Sequence, residues 1–191
     1  SPDGERILYA LRETNWDADR GVGSLWVTDA SGGQGARLTP AEIPASAGAW
    51  SPDGAFVYFL SAKSGSMQVW RVPAGGGDAT QVTAYSLDVG SFRLAPDGKA
   101  IALSFEVFAD CGTLACTAER HAANANDKRT GVQYDRIFVR HWDTWKDGTR
   151  SQVFLSPIGA DGKAAGEPRL LTKGIDGDVP GKPFGDQSDY V

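Results

Sequence analysis

Runs of apolar residues alternate with turn-forming residues along the whole chain. The long runs lie at 6–11, 55–60 and 99–105, and each contains few polar residues. Such near-continuous runs predict strands that are covered on both faces. Shorter apolar segments flank each long run, and they predict one further strand before it and two after it. These segments lie at 24–28, 36–39, 47–50, 68–72, 80–83, 91–94 and 168–172.

A tetrapeptide that ends in Pro-Asp-Gly precedes each long run. It stands at 1–4, 51–54 and 95–98, which makes the spacing 50 and then 44 residues. Proline presets φ at the first central position of a turn, aspartate can bond its own backbone, and glycine accepts positive φ. One such turn with four short antiparallel strands in about 40–50 residues is typical of a propeller blade.

The pattern therefore predicts an all-β fold, a β-propeller of about three four-stranded antiparallel blades that belong to a larger ring. We place the repeat units at about 1–50, 51–94 and 95–191, and the final segment 188–191 predicts the first strand of a further unit. Propellers typically close with about four to eight blades. Since the chain lacks an initiator Met and starts within a turn, we expect it to be part of a longer protein.

The third unit is longer than the others because it carries an insertion at about 109–150. Within the insertion, 117–125 predicts a short helix with Thr117 as its N-cap. The segments 134–145 and 150–158 predict the two strands of a long projecting hairpin, because an Asp-Gly pair lies between them.

Composition narrows the classes of partner. The net charge of −5 and the pI of about 5.0 argue against nucleic acid, which requires a basic face. No stretch reaches the roughly 20 apolar residues that span a bilayer, and no signal peptide is present. We therefore expect neither a nucleic-acid partner nor a membrane span.

The chain has two cysteines, Cys111 and Cys116, separated by four residues. A segment of this length can fold back to the Cα separation of a disulfide, and two free thiols are the alternative. Zinc is disfavoured because His121 and His141 are the only histidines and neither has a zinc-ligand spacing. A disulfide would indicate an oxidising compartment. We expect no metal and no cofactor.

No catalytic residue is predicted, because neither the nucleophile elbow G-x-S-x-G nor a phosphate-binding loop occurs. Candidate binding residues lie near the insertion instead. Glu106 should point away from the apolar face of its strand, either to bind a cationic group such as a peptide amino terminus or as a solvated or salt-bridged residue. Trp142 and Trp145, with Arg140 beside them, either line a cleft, contact another domain or simply pack.

The repeat, with its Pro-Asp-Gly turn, apolar strand and short strand ending in Leu-Thr or Val-Thr, resembles the TolB-type or PD40 propeller repeat. A more specific match comes from Y-D-R-I-F-V-R-H-W-D-T-W-K-D-G at 134–148 and D-V-P-G-K-P-F-G at 178–185. These segments resemble the amino-terminal propeller of bacterial serine peptidases of the prolyl oligopeptidase family, in the dipeptidyl-peptidase and acylaminoacyl-peptidase branch. The cysteine pair also resembles periplasmic members of that branch.

This resemblance implies a seven- or eight-bladed propeller that caps a carboxy-terminal α/β-hydrolase domain, where the Ser, Asp and His of the triad lie. The propeller would gate and position a peptide substrate, and Glu106 would hold the substrate's amino terminus. Arg140, Trp142 and Trp145 would be further substrate-binding residues. The implied partners are the peptide substrate and the hydrolase domain of the same parent chain, and the implied location is periplasmic or secreted.

Two expectations concern the chain as a separate unit. An arc of three blades leaves a sheet face and strand edges uncovered at each end, so we expect the chain alone either to self-associate into homo-oligomers or to fold poorly. The repeats alone fit a second function equally well, namely a TolB-like cell-envelope propeller that binds proteins and has no enzymatic activity.

Overall fold

The chain folds into short antiparallel strands, and the computed structural model describes residues 1–134, 137, 139–142 and 144–190. The described residues form three larger sheets and one two-stranded sheet. The strands are β1 (Arg6–Asn15), β2 (Arg20–Asp29), β3 (Ala36–Arg37), β4 (Ser46–Trp50), β5 (Phe56–Ser61), β6 (Gln68–Pro73), β7 (Thr80–Gln81), β8 (Ser91–Leu94), β9 (Ala100–Phe108), β10 (Arg140–His141), β11 (Thr144–Trp145), β12 (Thr149–Pro157) and β13 (Arg169–Leu170).

Two of the larger sheets have four strands each. The second sheet has the order β4-β5-β6-β7, and the third has the order β8-β9-β12-β13. The first sheet contains β1, β2 and β3. Neighbouring strands pair antiparallel in all three sheets. The predicted arrangement of four antiparallel strands, one before the turn and three after it, is thus confirmed for the second and third sheets.

The Pro-Asp-Gly turn joins the first two strands of each four-stranded sheet. In the second sheet, the Gly54 amide donates to the Ser51 carbonyl at 2.9 Å. The Asp53 carboxylate accepts from the Ala55 amide at 3.0 Å. Gly54 has a φ of +70°, in the left-handed region where a side chain would be unfavourable. The aspartate and the glycine of the repeated tetrapeptide therefore have the roles in the turn that the sequence predicted.

Apolar side chains fill the spaces between successive sheets. Val57 and Phe59 on β5 and Trp70 on β6 belong to one core with Leu25 of the first sheet and Leu38. The opposite face of the second sheet forms another core with the third sheet. Members of that core include Leu60, Val69, Val82, Ile101, Leu103 and Phe105. Burial on both faces explains why the central strands have nearly continuous apolar sequences.

A threonine beyond the last strand of each sheet ties that strand to its neighbour. Its hydroxyl accepts the amide of an apolar residue on the preceding strand. These bonds join Thr39 to Leu25, Thr83 to Val69 and Thr172 to Val153, at 3.1, 2.9 and 3.1 Å. The hydroxyls of Thr83 and Thr172 also donate to the buried Gln68 and Gln152. The recurring Leu-Thr or Val-Thr ending therefore satisfies buried polar groups.

The insertion contains one helix, α1 (Leu114–Ala125), among the described residues. The prediction that Thr117 caps this helix is wrong, because α1 begins three residues earlier. Thr113 is the N-cap, and its hydroxyl accepts the Cys116 amide at 3.2 Å. Thr117 lies buried within the helix, where its hydroxyl accepts the Phe108 amide. Leu114, in the first turn of the helix, is buried in the core that includes residues of β9.

The predicted long hairpin of 134–145 with 150–158 is also wrong. The strand β12 pairs with β9 along its whole length, from Thr149 opposite Phe108 to Pro157 opposite Ala100. The backbone groups of β12 form their hydrogen bonds with β9, so β12 is not available to pair with 134–145. The insertion therefore lies as a loop between β9 and β12. In the described part of 134–145, β10 and β11 pair with each other. Residues 135, 136, 138 and 143 lie outside the described residues.

The last segment ends in a 3₁₀ helix, Gln187–Asp189, rather than in the strand predicted at 188–191. The Asp186 carboxylate caps it by accepting the Ser188 amide at 2.7 Å, and residue 191 lies outside the described residues. The Tyr190 hydroxyl then meets the Ser91 hydroxyl at 2.8 Å. Among the described helices, none is long and apolar enough to cross a membrane.

Candidate functional site

A cavity of about 450 Å³ lies between the end of β9, the insertion and the loop that follows β13. One wall is aromatic and the other is charged. The residues that matter most for its chemistry are Glu106, Trp142, Trp145, Lys146, Asp147 and Lys182. They come from three separate parts of the chain, and the fold alone brings them together.

Glu106 reaches this cavity because of the alternation along β9. Phe105 and Val107 are buried in the apolar core, so the side chain between them points to the opposite face. Glu106 is 47% exposed there, and the Lys182 ammonium lies 2.5 Å from its carboxylate. The Thr149 hydroxyl oxygen lies 3.4 Å from the same carboxylate, but its single proton is donated to Asp147 at 2.6 Å. Glu106 is therefore salt-bridged on the wall of a cavity, and its role in binding a cationic group stays a prediction.

The aromatic wall consists of exposed rings that support one another. Trp142 packs edge-on against Phe184, with 5.1 Å between ring centroids. Trp145 stacks on Tyr134 at 6.1 Å, and the Arg140 guanidinium lies 5.5 Å from the Trp145 ring centroid. Both tryptophans remain mostly exposed. Exposed aromatic rings beside charged groups are suited to hold apolar parts of a ligand whose ends are polar.

Asp178 anchors the loop that carries Lys182. Its carboxylate accepts the Ser151 amide at 2.9 Å and the Lys146 ammonium at 3.4 Å, and Lys182 lies 3.7 Å away. Burial by itself would raise the pKa of Asp178. The Ser151 amide and the two lysines outweigh burial and hold the pKa below its usual value.

Asp147 is a further ionised carboxylate beside the cavity. Burial raises its pKa, but the Thr149 hydroxyl and amide, at 2.6 and 2.9 Å, hold the pKa below its usual value. With Glu106 and Asp178, three carboxylates face Lys146 and Lys182 in this region. The cavity lining itself carries two carboxylates and two ammonium groups, and Glu106 and Asp147 offer acceptors to a cationic ligand group.

A second cavity, of about 540 Å³, shares Glu106, Lys182 and Pro183 with the first. Its other walls carry more polar groups than the aromatic cavity does, among them the hydroxyls of Ser91 and Ser104. The ion pair between Glu106 and Lys182 thus stands on the boundary between an aromatic cavity and a polar one.

The cysteines lie apart from this site. Cys111 and Cys116 form a disulfide that joins the end of β9 to the first turn of α1. Of the two alternatives for this pair, the structure shows the bridge. Within the described part of the chain, no group of three or more His, Cys, Asp and Glu side chains could hold a metal ion.

The structure thus places the predicted substrate-binding residues near one another. Glu106, Trp142 and Trp145 line one cavity, and Arg140 contacts the Trp145 ring. Their roles remain predictions. Lys182 was not among the predicted site residues, although it lies in the segment 178–185. The sequence shows only that Lys182 lies between two prolines in a glycine-rich loop. This pattern does not indicate which group the ammonium contacts.

Comparisons with known proteins connect this chain to peptidases and to TolB. No protein-family model matches it. The chain is 23% identical to dipeptidyl-peptidase 5 of Porphyromonas endodontalis over 100% of its length. In structure it matches the acylaminoacyl peptidase of Pyrococcus horikoshii over 88% of this chain and 24% of that one, with a TM-score of 0.59 and 11% identity. It matches TolB of Acinetobacter baumannii over 91% of this chain and 31% of that one, with a TM-score of 0.53 and 21% identity.

These matches confirm the predicted resemblance to the dipeptidyl-peptidase and acylaminoacyl-peptidase branch and to TolB. The structural matches support the fold, an all-β arrangement of propeller type. This chain spans only 26% of the length of the dipeptidyl-peptidase 5 that it matches. The seven- or eight-bladed ring and the limits of the repeat units remain predictions.

Proposed function

We propose that this chain is the non-catalytic propeller portion of a serine exopeptidase of the dipeptidyl or acylaminoacyl type. In this proposal it gates and positions peptide substrates for a hydrolase domain of the same parent chain. The sequence match to dipeptidyl-peptidase 5 over the full chain supports the peptidase relation. The observation that carries the proposal is the cavity in which the Glu106 carboxylate faces exposed tryptophan rings.

The cavity offers the two kinds of contact that a short peptide requires. A carboxylate that accepts hydrogen bonds from an ammonium group forms a strong, charge-assisted contact, so Glu106 can hold a free amino terminus. Trp142 and Trp145 can hold the apolar side chains that follow it, with Arg140 fixing the Trp145 ring. A periplasmic or secreted location is part of the proposal, and the disulfide supports it because such bonds persist in oxidising compartments.

The proposal is tested by Glu106→Gln in the full-length protein. Substrates are chromogenic dipeptides with a free amino terminus and the same dipeptides with an acylated one. We expect kcat/KM for the free substrates to fall about tenfold or more, mainly through KM, because a charge-assisted hydrogen bond is lost. The acylated substrates should be unaffected.

Glu119→Gln is the matched control, since Glu119 is exposed on α1 and lies outside the cavity. If both carboxylate variants behave like the unmodified protein on free dipeptides, Glu106 does not bind the amino terminus and the proposed role of the cavity fails.

The second candidate function is a TolB-like cell-envelope propeller that binds proteins and has no enzymatic activity. The match to TolB of Acinetobacter baumannii favours it as a fold precedent. Dipeptide hydrolysis that a serine-directed inhibitor abolishes in the full-length protein would exclude this alternative. Absence of hydrolysis, together with a reading frame that contains no G-x-S-x-G motif, would favour it over the peptidase.

A further inference from the structure

Lys182 occupies the position on Glu106 that the ammonium group of a peptide would take. Its Nζ atom lies 2.5 Å from the Glu106 carboxylate, so a second ammonium at that oxygen would be repelled by the charge of Lys182. We propose that Lys182 is an internal competitor, which a ligand with a free amino terminus must displace from Glu106. This inference rests on the proposed function, because it assumes that Glu106 binds that terminus.

The contact is of a kind that exchanges readily. Lys182 and Glu106 are 35% and 47% exposed, and solvent-exposed ion pairs contribute little net stability. A lysine ammonium sits on a flexible stem and can rotate away without moving the backbone. Displacement of Lys182 therefore does not require the loop to unfold.

The Asp178 carboxylate lies close enough to pair with the Lys182 ammonium after it leaves Glu106. Asp178 Oδ1 already lies 3.7 Å from Lys182 Nζ, and Asp178 is 14% exposed. The Ser151 amide and the Lys146 ammonium hold Asp178 in place. Lys182 therefore keeps an anionic partner when it leaves Glu106, which lowers the cost of the exchange.

The backbone around Lys182 is fixed independently of its side chain. The Gly181 amide donates to the Asp189 carboxylate at 2.8 Å, and the Gly185 amide donates to the Gly181 carbonyl at 2.5 Å. These backbone bonds do not involve the Lys182 side chain, so the ammonium can move while they stay in place.

The exchange also opens the boundary between the two cavities. Glu106, Lys182 and Pro183 line both the aromatic cavity and the polar one. When Lys182 turns toward Asp178, a peptide amino terminus can sit at this boundary with its following side chains on the tryptophan wall. The ligand class is a short peptide with a protonated amino terminus and an apolar side chain close to it.

The test uses Lys182→Met and Lys182→Arg in the full-length protein. Binding is measured by calorimetry with alanyl-phenylalanine amide and its N-acetylated form, so that no turnover is needed. We expect Lys182→Met to tighten binding of the free dipeptide amide by about two- to fivefold, the range that loss of an exposed competing ion pair gives. Lys182→Arg keeps a cation beside Glu106 and should not tighten binding. Neither variant should change binding of the acetylated form.

Glu106→Gln and the double variant separate the two hypotheses. In the Glu106→Gln background, Lys182→Met should have no further effect, because competition acts through the carboxylate. If Glu106→Gln weakens binding but Lys182→Met does not tighten it, Lys182 does not compete with the ligand for Glu106, and the proposed function stands. If Lys182→Met weakens binding, Lys182 contacts the ligand and the exchange is also wrong. If Glu106→Gln has no effect, both proposals fail.

Discussion

Asp178 connects the last loop to the third sheet through several bonds at once. Its carboxylate accepts the Ser151 amide, and the Val179 amide donates back to the Ser151 carbonyl at 2.8 Å. Two lysines face the same carboxylate. Because Lys182 follows it in the same loop, this single residue positions the charged wall of the cavity.

The lowered pKa of Asp178 predicts a pH dependence for this loop. A carboxylate whose pKa is lower in the folded state stabilises that state above its unfolded pKa of about 3.9, and this contribution is lost as pH falls through the folded pKa. We expect Asp178→Asn to reduce hydrogen-exchange protection in 174–186 about tenfold at pH 7.

The loss of protection on acidification should be smaller in Asp178→Asn than in the unmodified protein, since the variant has no carboxylate to protonate. Asp17→Asn is the control, because Asp17 is exposed on a distant turn. Equal protection in all three proteins at pH 7 would contradict the anchoring role of Asp178.

At the scale of elements, α1 is attached to the third sheet by both a covalent bond and apolar packing. The disulfide joins the end of β9 to the first turn of the helix, and Leu114 is buried in the core. The Thr117 hydroxyl accepts the Phe108 amide, which adds a buried polar contact. The start of the insertion is therefore held against the end of β9. This attachment determines on which side of the cavity the insertion lies.

Removal of the disulfide should loosen α1 while leaving the sheets intact. Closure of a short loop of this kind stabilises by about 2 kcal/mol in the chain-entropy description. We expect Cys111→Ala with Cys116→Ala to increase hydrogen exchange and proteolysis in 109–125 and to leave β5 and β9 protected. Reduction of the unmodified protein should reproduce the effect. Unchanged protection of α1 in both cases would show that packing alone holds the helix.

At the scale of the whole molecule, the first sheet presents an apolar face that its neighbours do not cover. Ile7, Tyr9 and Leu11 on β1 are 50%, 37% and 39% exposed. The Pro-Asp-Gly turns align Ile7 with Val57 and Tyr9 with Phe59, and both of these β5 residues are completely buried against the first sheet. Equivalent positions thus differ in burial only because one face has a neighbouring sheet.

This face predicts self-association of the isolated 191-residue chain, since an uncovered apolar sheet face favours contact with another copy. Sedimentation velocity over a range of concentrations should show oligomers. Tyr9→Lys should shift the distribution toward monomer. Trp16→Lys, which removes an exposed aromatic residue at the turn between β1 and β2, should leave it unchanged. A monodisperse monomer at all concentrations would contradict the prediction.

Much of the fold could be predicted from local chemistry, and the errors occurred where burial or a distant partner decides the structure. Strand positions follow from apolar runs, and turns follow from residues that preset φ. The start of α1 was misplaced because Thr113 and Thr117 are both acceptable N-caps, and only burial of Leu114 selects the first. The partner of β12 was misassigned because an adjacent segment competes with β9, which lies 41 residues earlier at the closest pair, Thr149 and Phe108.

For the candidate site, the sequence by itself determined that Glu106 faces away from the core, because side chains alternate along a strand whatever surrounds it. It also placed Trp142 and Trp145 in the insertion, whereas their exposure follows from the fold. Only the tertiary structure decided that Lys182, 76 positions further along the chain, contacts that carboxylate. The reason is physical: alternation and turn preference are properties of a few consecutive residues, whereas the loop that reaches a given strand depends on the packing of the whole sheet.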